Sequence, residues 1–241
     1  MIERMTVFRN SLRASAAAVI VAAGVSVPVT ASAASAAAPL GGGSGIMISE
    51  SGDFAGANVF LCSLAAVGSD QNGDLKAITA GHCGEPGDKV AAENFPELGE
   101  IGEFEYSTMD PDIAVIDLDD DKVQLLNEVG GLAITGISST TPVFGEEVCK
   151  NGRSTGVTCG IVWGSDNQQI LEHSCSVGGD SGGAVVRGNE LVGLISGGPR
   201  PWCNEPLPAP FHAPNWSTEI NAGLAKVQAD TGIEFSLYTG A

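Results

Sequence analysis

Residues 174–198 read SCSVGGDSGGAVVRGNELVGLISGG, with Ser181 set between Asp180 and two glycines. A serine hydroxyl is a weak nucleophile until a base takes its proton and a third group orients that base. The stretch also satisfies G-x-S-x-G, a pattern in which the serine leads into a helix and is followed along the chain by its acid and then its histidine. Here Ser181 is followed instead by two short apolar runs, GAVVRGN and ELVGLISGG, with RGNE as a hairpin turn between them. Only His212 lies downstream, after a loop too short for the remaining sheet and helices that pattern needs. The stretch therefore reads as a turn between strands, and partners for Ser181 must come from upstream.

Outward from it, the chain is a series of short strands. ANVFLCSLAAV (57–67), LKAITAG (75–81), KVAAEN (89–94), IGEFEYS (101–107), DIAVIDL (112–118) and LAITGIS (132–138) alternate with turn clusters such as GSDQNGD and MDPD. A second series runs EEVCKNG, TCGIVWG, QILEHSC and the two strands after Ser181. The split between the sets falls near Ser138 to Pro142, which gives two β units over 46–138 and 139–241. One segment has helical periodicity, Ser217 to Gly232, with Ser217 as N-cap, Ile220, Leu224 and Val227 on one side and Gly232 as stop. The fold class expected is all-β with a C-terminal helix.

The first 33 residues do not fit this pattern. Arg4, Arg9 and Arg13 precede ASAAAVIVAAGVSVPV, and Ala31 to Ala33 supplies small residues for cleavage, the layout of a secretory signal peptide. The apolar run is shorter than the ~20 residues a membrane-spanning helix needs. Residues 34–45, ASAAAPLGGGSG, read as a flexible N-terminus of the mature chain, with order beginning near Ile46. Removal of residues 1–33 takes away Arg4, Arg9, Arg13 and Glu3, so the formal charge moves from −18 to −20. Such a surface repels nucleic acid and anionic lipid, so neither is an expected partner. Six cysteines, all after residue 33, fit an oxidising compartment; without C-x-x-C spacing they suggest no zinc site, and no cofactor is expected.

Three histidines are available to Ser181. His82, in AITAGHCGE, follows an apolar strand and adjoins Cys83, whose crosslinking would hold the backbone rigid, as a general base requires. His173, near Cys175, and His212, after EPLPAPF, read as structural or surface residues. For the orienting carboxylate, Asp112 opens the apolar strand DIAVIDL, while Asp110 lies in a turn and Asp117 in the acidic run DLDDD. An acid at the mouth of a buried strand is costly unless paired. The N–H groups of Gly179 and Ser181 can converge as an oxyanion hole. Asp180, turned inward, would need a cation, with Lys150 and Arg153 as candidates.

These motifs resemble those of the chymotrypsin-like serine proteases, and within them the secreted bacterial streptogrisin and α-lytic-protease type. TAGHC, DIAVI and GDSGG look like that family's histidine, aspartate and serine motifs, in its order, and the likeness covers about Ile46 to Trp216. The resemblance implies two six-stranded antiparallel Greek-key barrels with a cleft between them, and a triad of His82, Asp112 and Ser181. It implies disulfides Cys62 to Cys83, Cys149 to Cys159 and Cys175 to Cys203, and assigns the partner of Asp180 to Lys150. It also implies a polypeptide substrate, held along Ser196, Gly197 and Gly198, with a primary pocket framed by Ser176, Val177, Gly178 and Ile195. None of these carries charge, which suggests small or medium apolar side chains before the scissile bond; relatives that prefer glutamate have a histidine where this chain has Ile195. The expected enzyme is a secreted, extracellular, monomeric bacterial endopeptidase. Three features depart from the pattern: no long pro-region, no clear activation site, and a cleft loop carrying Pro199, Arg200 and Trp202. They leave open a secreted binding module that cleaves little.

Overall fold

The computed structural model describes residues 37–204 and 212–240; the segment read as a signal peptide and the EPLPAPF loop lie outside them. The first barrel is an antiparallel sheet ordered Ala66–Ser69, Leu75–Thr79, Asp112–Leu118, Glu100–Met109, Lys89–Ala92, Gly45–Ser49 and Phe60–Ser63, with Ser236–Leu237 added beside Ala66–Ser69. Its two edges belong to one stretch of chain. Residues 60–63 pair with Gly45–Ser49, and residues 66–69, only three further on, pair with Leu75–Thr79. The sheet is thus drawn round into a barrel filled by Ile46, Ile48, Leu64, Ile78, Ile101 and Phe104.

The second barrel closes by hydrogen bonding alone. Its six strands run Glu190–Gly197, Ala184–Arg187, Glu147–Gly152, Gly156–Ser165, Gln169–Glu172 and Asn215–Glu219, and the last pairs back with the first. Gly136–Ile137 is an extra parallel partner of Glu190–Leu191, so the passage to this barrel begins before Ser138. Cys149 and Cys159 face each other across the ladder and are bonded; Cys62–Cys83 and Cys175–Cys203 are also joined.

Two expectations are corrected. Residues 38–45 are not a flexible tail: Ala38–Leu40 pairs in parallel with Val123–Leu125, and Ala38 and Leu40 are buried. The Ala- and Gly-rich composition suited flexibility, but the small residues let the backbone lie close against the rest of the core. The helix spans Ile220–Thr231, with Glu219 rather than Ser217 as its N-cap, the Glu219 carboxylate accepting from the Ala222 N–H at 2.8 Å. Ser217 lies mid-strand, where pairing with Ile170 and Ile195 uses its backbone and overrides its local capping preference.

The helix packs back on the first barrel, Gly223 leaving room for Ile113. Strand Asp112–Leu118 is therefore covered on both faces, which is why DIAVIDL is a nearly continuous apolar run rather than an alternating one. Tyr106 reinforces the contact, its hydroxyl donating to Asp230 Oδ2 at 2.7 Å. Burial, then the Asp230 hydrogen bond, push the Tyr106 phenol up to about 12 from 10.0. Below pH 10 folded and unfolded chains both keep the proton and the contribution is whole. Between 10.0 and about 12 the unfolded chain ionises first, so stability falls as pH rises through that window. The melting temperature, followed by circular dichroism, is expected to drop more steeply there in the wild type than in Tyr106→Phe; parallel slopes would contradict this.

Candidate active site

His82 sits on the single helical turn Gly81–Cys83, immediately beyond strand Leu75–Thr79. The disulfide to Cys62 fixes one side of that turn, and the Ser107 hydroxyl donates to the Gly81 carbonyl at 2.8 Å. Asp112 opens the adjacent strand and grips His82 twice: Oδ1 accepts the His82 backbone N–H at 2.9 Å, and Oδ2 lies 2.8 Å from Nδ1. The backbone contact fixes which carboxylate oxygen faces the ring. The Asp112 side chain is 14% exposed and the imidazole 32%, so the acid is sheltered while the ring edge reaches solvent. Asp110 is exposed, and Asp117 is half-exposed and paired with Lys76 at 2.5 Å. Of the three acids considered, Asp112 alone meets a histidine.

Ser181 comes from the second barrel and is brought to this turn by backbone packing. The Ser181 carbonyl accepts from the Ser63 N–H at 2.8 Å, and Ser63 neighbours the Cys62 that is bonded to Cys83. Gly182, at φ +79°, lies so close to Thr79 Oγ1, Ser63 O and Ala80 N that a side chain there would collide with all three. The serine turn therefore abuts the end of the strand that carries His82. Ser181 is half-buried, and among the described residues its hydroxyl makes no hydrogen bond to another protein group.

The turn leaves donors unspent. Asp180 N–H donates to Val177 O, Gly182 N–H to Ile195 O and Gly183 N–H to Asp180 O, whereas Gly179 and Ser181 N–H donate to no acceptor among the described residues. Gly179 has φ +95°, a backbone state that glycine takes without strain. Its carbonyl points away, accepting from Ser63 Oγ at 2.9 Å.

Beneath this turn Asp180 is wholly buried. Its Oδ2 lies 3.3 Å from Lys150 Nζ, which is equally buried. The carboxylate also accepts from Ser154 N, Thr155 N, Thr155 Oγ1 and Val177 N at 2.7 to 3.1 Å. Burial holds the Lys150 ammonium below the ordinary lysine range, with Asp180 and then Glu172 opposing that drop. Arg153, the other candidate, gives its guanidinium to Glu93.

A cavity of about 110 Å³ opens beside Ser181, walled by Ser176, Val177, Gly178, Ile195, Gly197 and Gly198, with Trp202 and Asn215 completing it. Ser196 is not among its walls: its Oγ lies 2.8 Å from Thr218 Oγ1, which donates to the Asp112 carbonyl at 2.9 Å. Thr218 thus ties the Asp112 backbone to the second barrel, a role hidden in a segment read as helix. Trp202 Nε1 approaches the Gly198 carbonyl at 3.4 Å, with the Arg200 guanidinium 4.6 Å from the indole ring. His173 and His212 stack on each other with centroids 4.1 Å apart, and their ring nitrogens meet the carbonyls of His212 and Ala213 rather than Asp112. Among the described residues no cluster of His, Cys, Asp and Glu is arranged to hold a metal ion, and no helix is long and apolar enough to cross a membrane.

Two facing barrels, a His–Asp pair on the first and a serine turn on the second make this the fold of a chymotrypsin-like serine protease. The chain is similar to bacterial proteases of that fold. Streptogrisin-C of Streptomyces griseus is 28% identical over 130 residues, 50% of this chain and 28% of that protein. Serine protease 1 of Rarobacter faecitabidus is 31% identical over 137 residues, 50% of this chain and 26% of that protein. The chain thus spans under a third of the length of these two relatives. Among solved structures, a Cellulomonas bogoriensis chymotrypsin superposes with a TM-score of 0.61 at 25% identity, covering 83% of this chain and 100% of that one. A Nocardiopsis protease gives 0.63 at 24% identity, covering 82% and 99%. No protein-family model matches the chain.

Proposed function

We propose that the protein is a secreted serine endopeptidase. The observation that carries this is the two-point grip of Asp112 on His82, set against a serine turn whose Gly179 and Ser181 N–H groups have no internal acceptor. Ser181 Oγ attacks the scissile carbonyl while His82 Nε2 takes its proton. The carbonyl oxygen becomes an oxyanion held by those two N–H groups. His82 then gives the proton to the leaving amine, an acyl-Ser181 ester remains, and water activated by His82 releases the acid. Asp112 holds the ring with its proton on Nδ1, so Nε2 is the free base. Serine–histidine hydrogen bonds are often loose without substrate and tighten in the complex, in keeping with the unengaged Ser181 hydroxyl. The substrate is a polypeptide, and the cavity suits a small or medium uncharged side chain before the cleaved bond. A signal-like leader and three disulfides support secretion; the acidic surface supports a monomer that avoids nucleic acid and membranes.

A fluorophosphonate probe is expected to add to the disulfide-intact protein with one-to-one stoichiometry by mass spectrometry, and not to Ser181→Ala. A folded wild type that stays unlabelled would overturn the proposal. It would favour the second reading, a binding module, to which the indole of Trp202 on the Gly198 carbonyl lends support.

A further inference from the structure

The floor of the cavity beside Ser181 is polar, and its polarity has a direction. Asn215 opens strand Asn215–Glu219 and faces Glu172 across the ladder. It is 4% exposed and lines the cavity. Its Nδ2 donates to Ser174 O at 2.7 Å and to Glu172 Oε1 at 3.1 Å, with Ser174 Oγ at 3.3 Å. A backbone carbonyl can only accept, so the amide orientation is fixed: the NH2 group points inward and Oδ1 points the other way. That oxygen lies on the side of Gly198, another cavity residue; a Cβ built on Gly198 would stand 3.3 Å from it. Among the described residues Asn215 Oδ1 accepts no hydrogen bond, yet Ser217 Oγ is the one side-chain polar atom that is both unpartnered and fully enclosed. Asn215 Oδ1 is therefore not fully enclosed, and it stands beside Gly198, which lines the cavity together with Asn215.

The surroundings add to this. Glu172 is wholly buried directly behind Asn215, its Oε2 accepting the Ser174 N–H at 2.5 Å. Ser176, Val177 and Ile195 bring no cation to the walls. A volume of about 110 Å³ is three to four times the ~30 Å³ that a water occupies, room for one medium side chain. An apolar tip would leave Oδ1 unpaired in a dry pocket, and a carboxylate would set lone pairs against it with Glu172 behind.

Resting on the endopeptidase reading, we propose that Asn215 is a specificity-determining residue: its Oδ1 selects a neutral side chain that ends in a hydrogen-bond donor before the scissile bond, the carboxamides of Gln and Asn above all. The apolar preference suggested by the wall residues alone is thereby replaced. The sequence hid the floor because Asn215 stands in APNWSTE, which has no strand-like alternation.

The test is a set of peptide anilides differing only before the cleaved bond, with Gln, Met and Glu as near-isosteric tips, assayed on the secreted disulfide-bonded protein. Gln is expected to exceed Met about 10-fold in kcat/KM, and Glu by about 100-fold or more. In Asn215→Leu the Gln to Met ratio should fall to about one or below, a readout that general loosening of the fold would leave unchanged since it lowers both rates. The wild-type series decides by itself if that variant does not fold. Met equal to or above Gln on a protein that labels with fluorophosphonate would overturn this inference and leave the endopeptidase reading standing. Absence of both labelling and hydrolysis would overturn the two together.

Discussion

Asp112→Asn is expected to lower kcat about 10⁴-fold with little change in KM or in stability. The direction follows from the two contacts Asp112 makes with His82. Oδ1 accepts a backbone N–H, and Oδ2 faces Nδ1. An asparagine must keep its oxygen on the backbone N–H, because its NH2 group cannot accept a hydrogen bond. The NH2 is then directed at Nδ1, which has to become the unprotonated nitrogen, and the proton moves to Nε2. Nε2 can then no longer take the Ser181 proton, although the ring, the turn and the disulfide beside it stay where they were. Fluorophosphonate labelling should slow in the same proportion, since it needs the same proton transfer, while the melting temperature remains within a few degrees of the wild type. A loss below about 10-fold would mean that Asp112 does not set the tautomer.

How far such a site can be read from sequence depends on which constraint fixes each residue. The contact of Asp112 with His82 and the tight turn that carries Ser181 were legible because each residue sits where chain rigidity is written locally: beside a cysteine, at the mouth of an apolar run, and between glycines. The fold class was legible for a similar reason, since short apolar runs separated by turn residues leave little room for helices. Lys150 could not be separated from Arg153 on charge alone. What separates them is ladder geometry: Lys150 lies opposite Thr158 and Val185 with its side chain inside the barrel, while Arg153, just past the strand end, reaches Glu93.

Residues placed by long-range pairing were not legible. Asn215, Ser217 and Thr218 look like a loop running into a capped helix, yet they form the strand that closes the second barrel. Their strand state comes from two neighbours, Gln169–Glu172 and Glu190–Gly197, that are remote in sequence. Ala38–Leu40 is the same case: three small or unassuming residues become core because Val123–Leu125 offers them a ladder. The misreadings thus concentrate at one seam of the second barrel and at the start of the first. At that seam the strand supplies the cavity floor and, through Thr218, the tie to Asp112.

Lys150→Met is expected to destabilise the protein by about 3–5 kcal/mol, the usual consequence of removing one partner from a buried ion pair. Methionine matches the length of the lysine stem, so the change is mainly electrical. Asp180 keeps its four hydrogen-bond donors from Ser154, Thr155 and Val177, but its carboxylate loses the only cation within 4 Å among the described residues. Glu172, also wholly buried, loses the attraction of the same ammonium in that step. Urea denaturation with disulfides intact would show a lower midpoint at an unchanged slope. Activity should fall further than stability alone explains, because Asp180 anchors the Val177 N–H within the turn that aims the Gly179 and Ser181 N–H groups. A variant with wild-type stability at pH 7 would show that the four remaining donors suffice for Asp180, and that Lys150 is incidental to the serine turn.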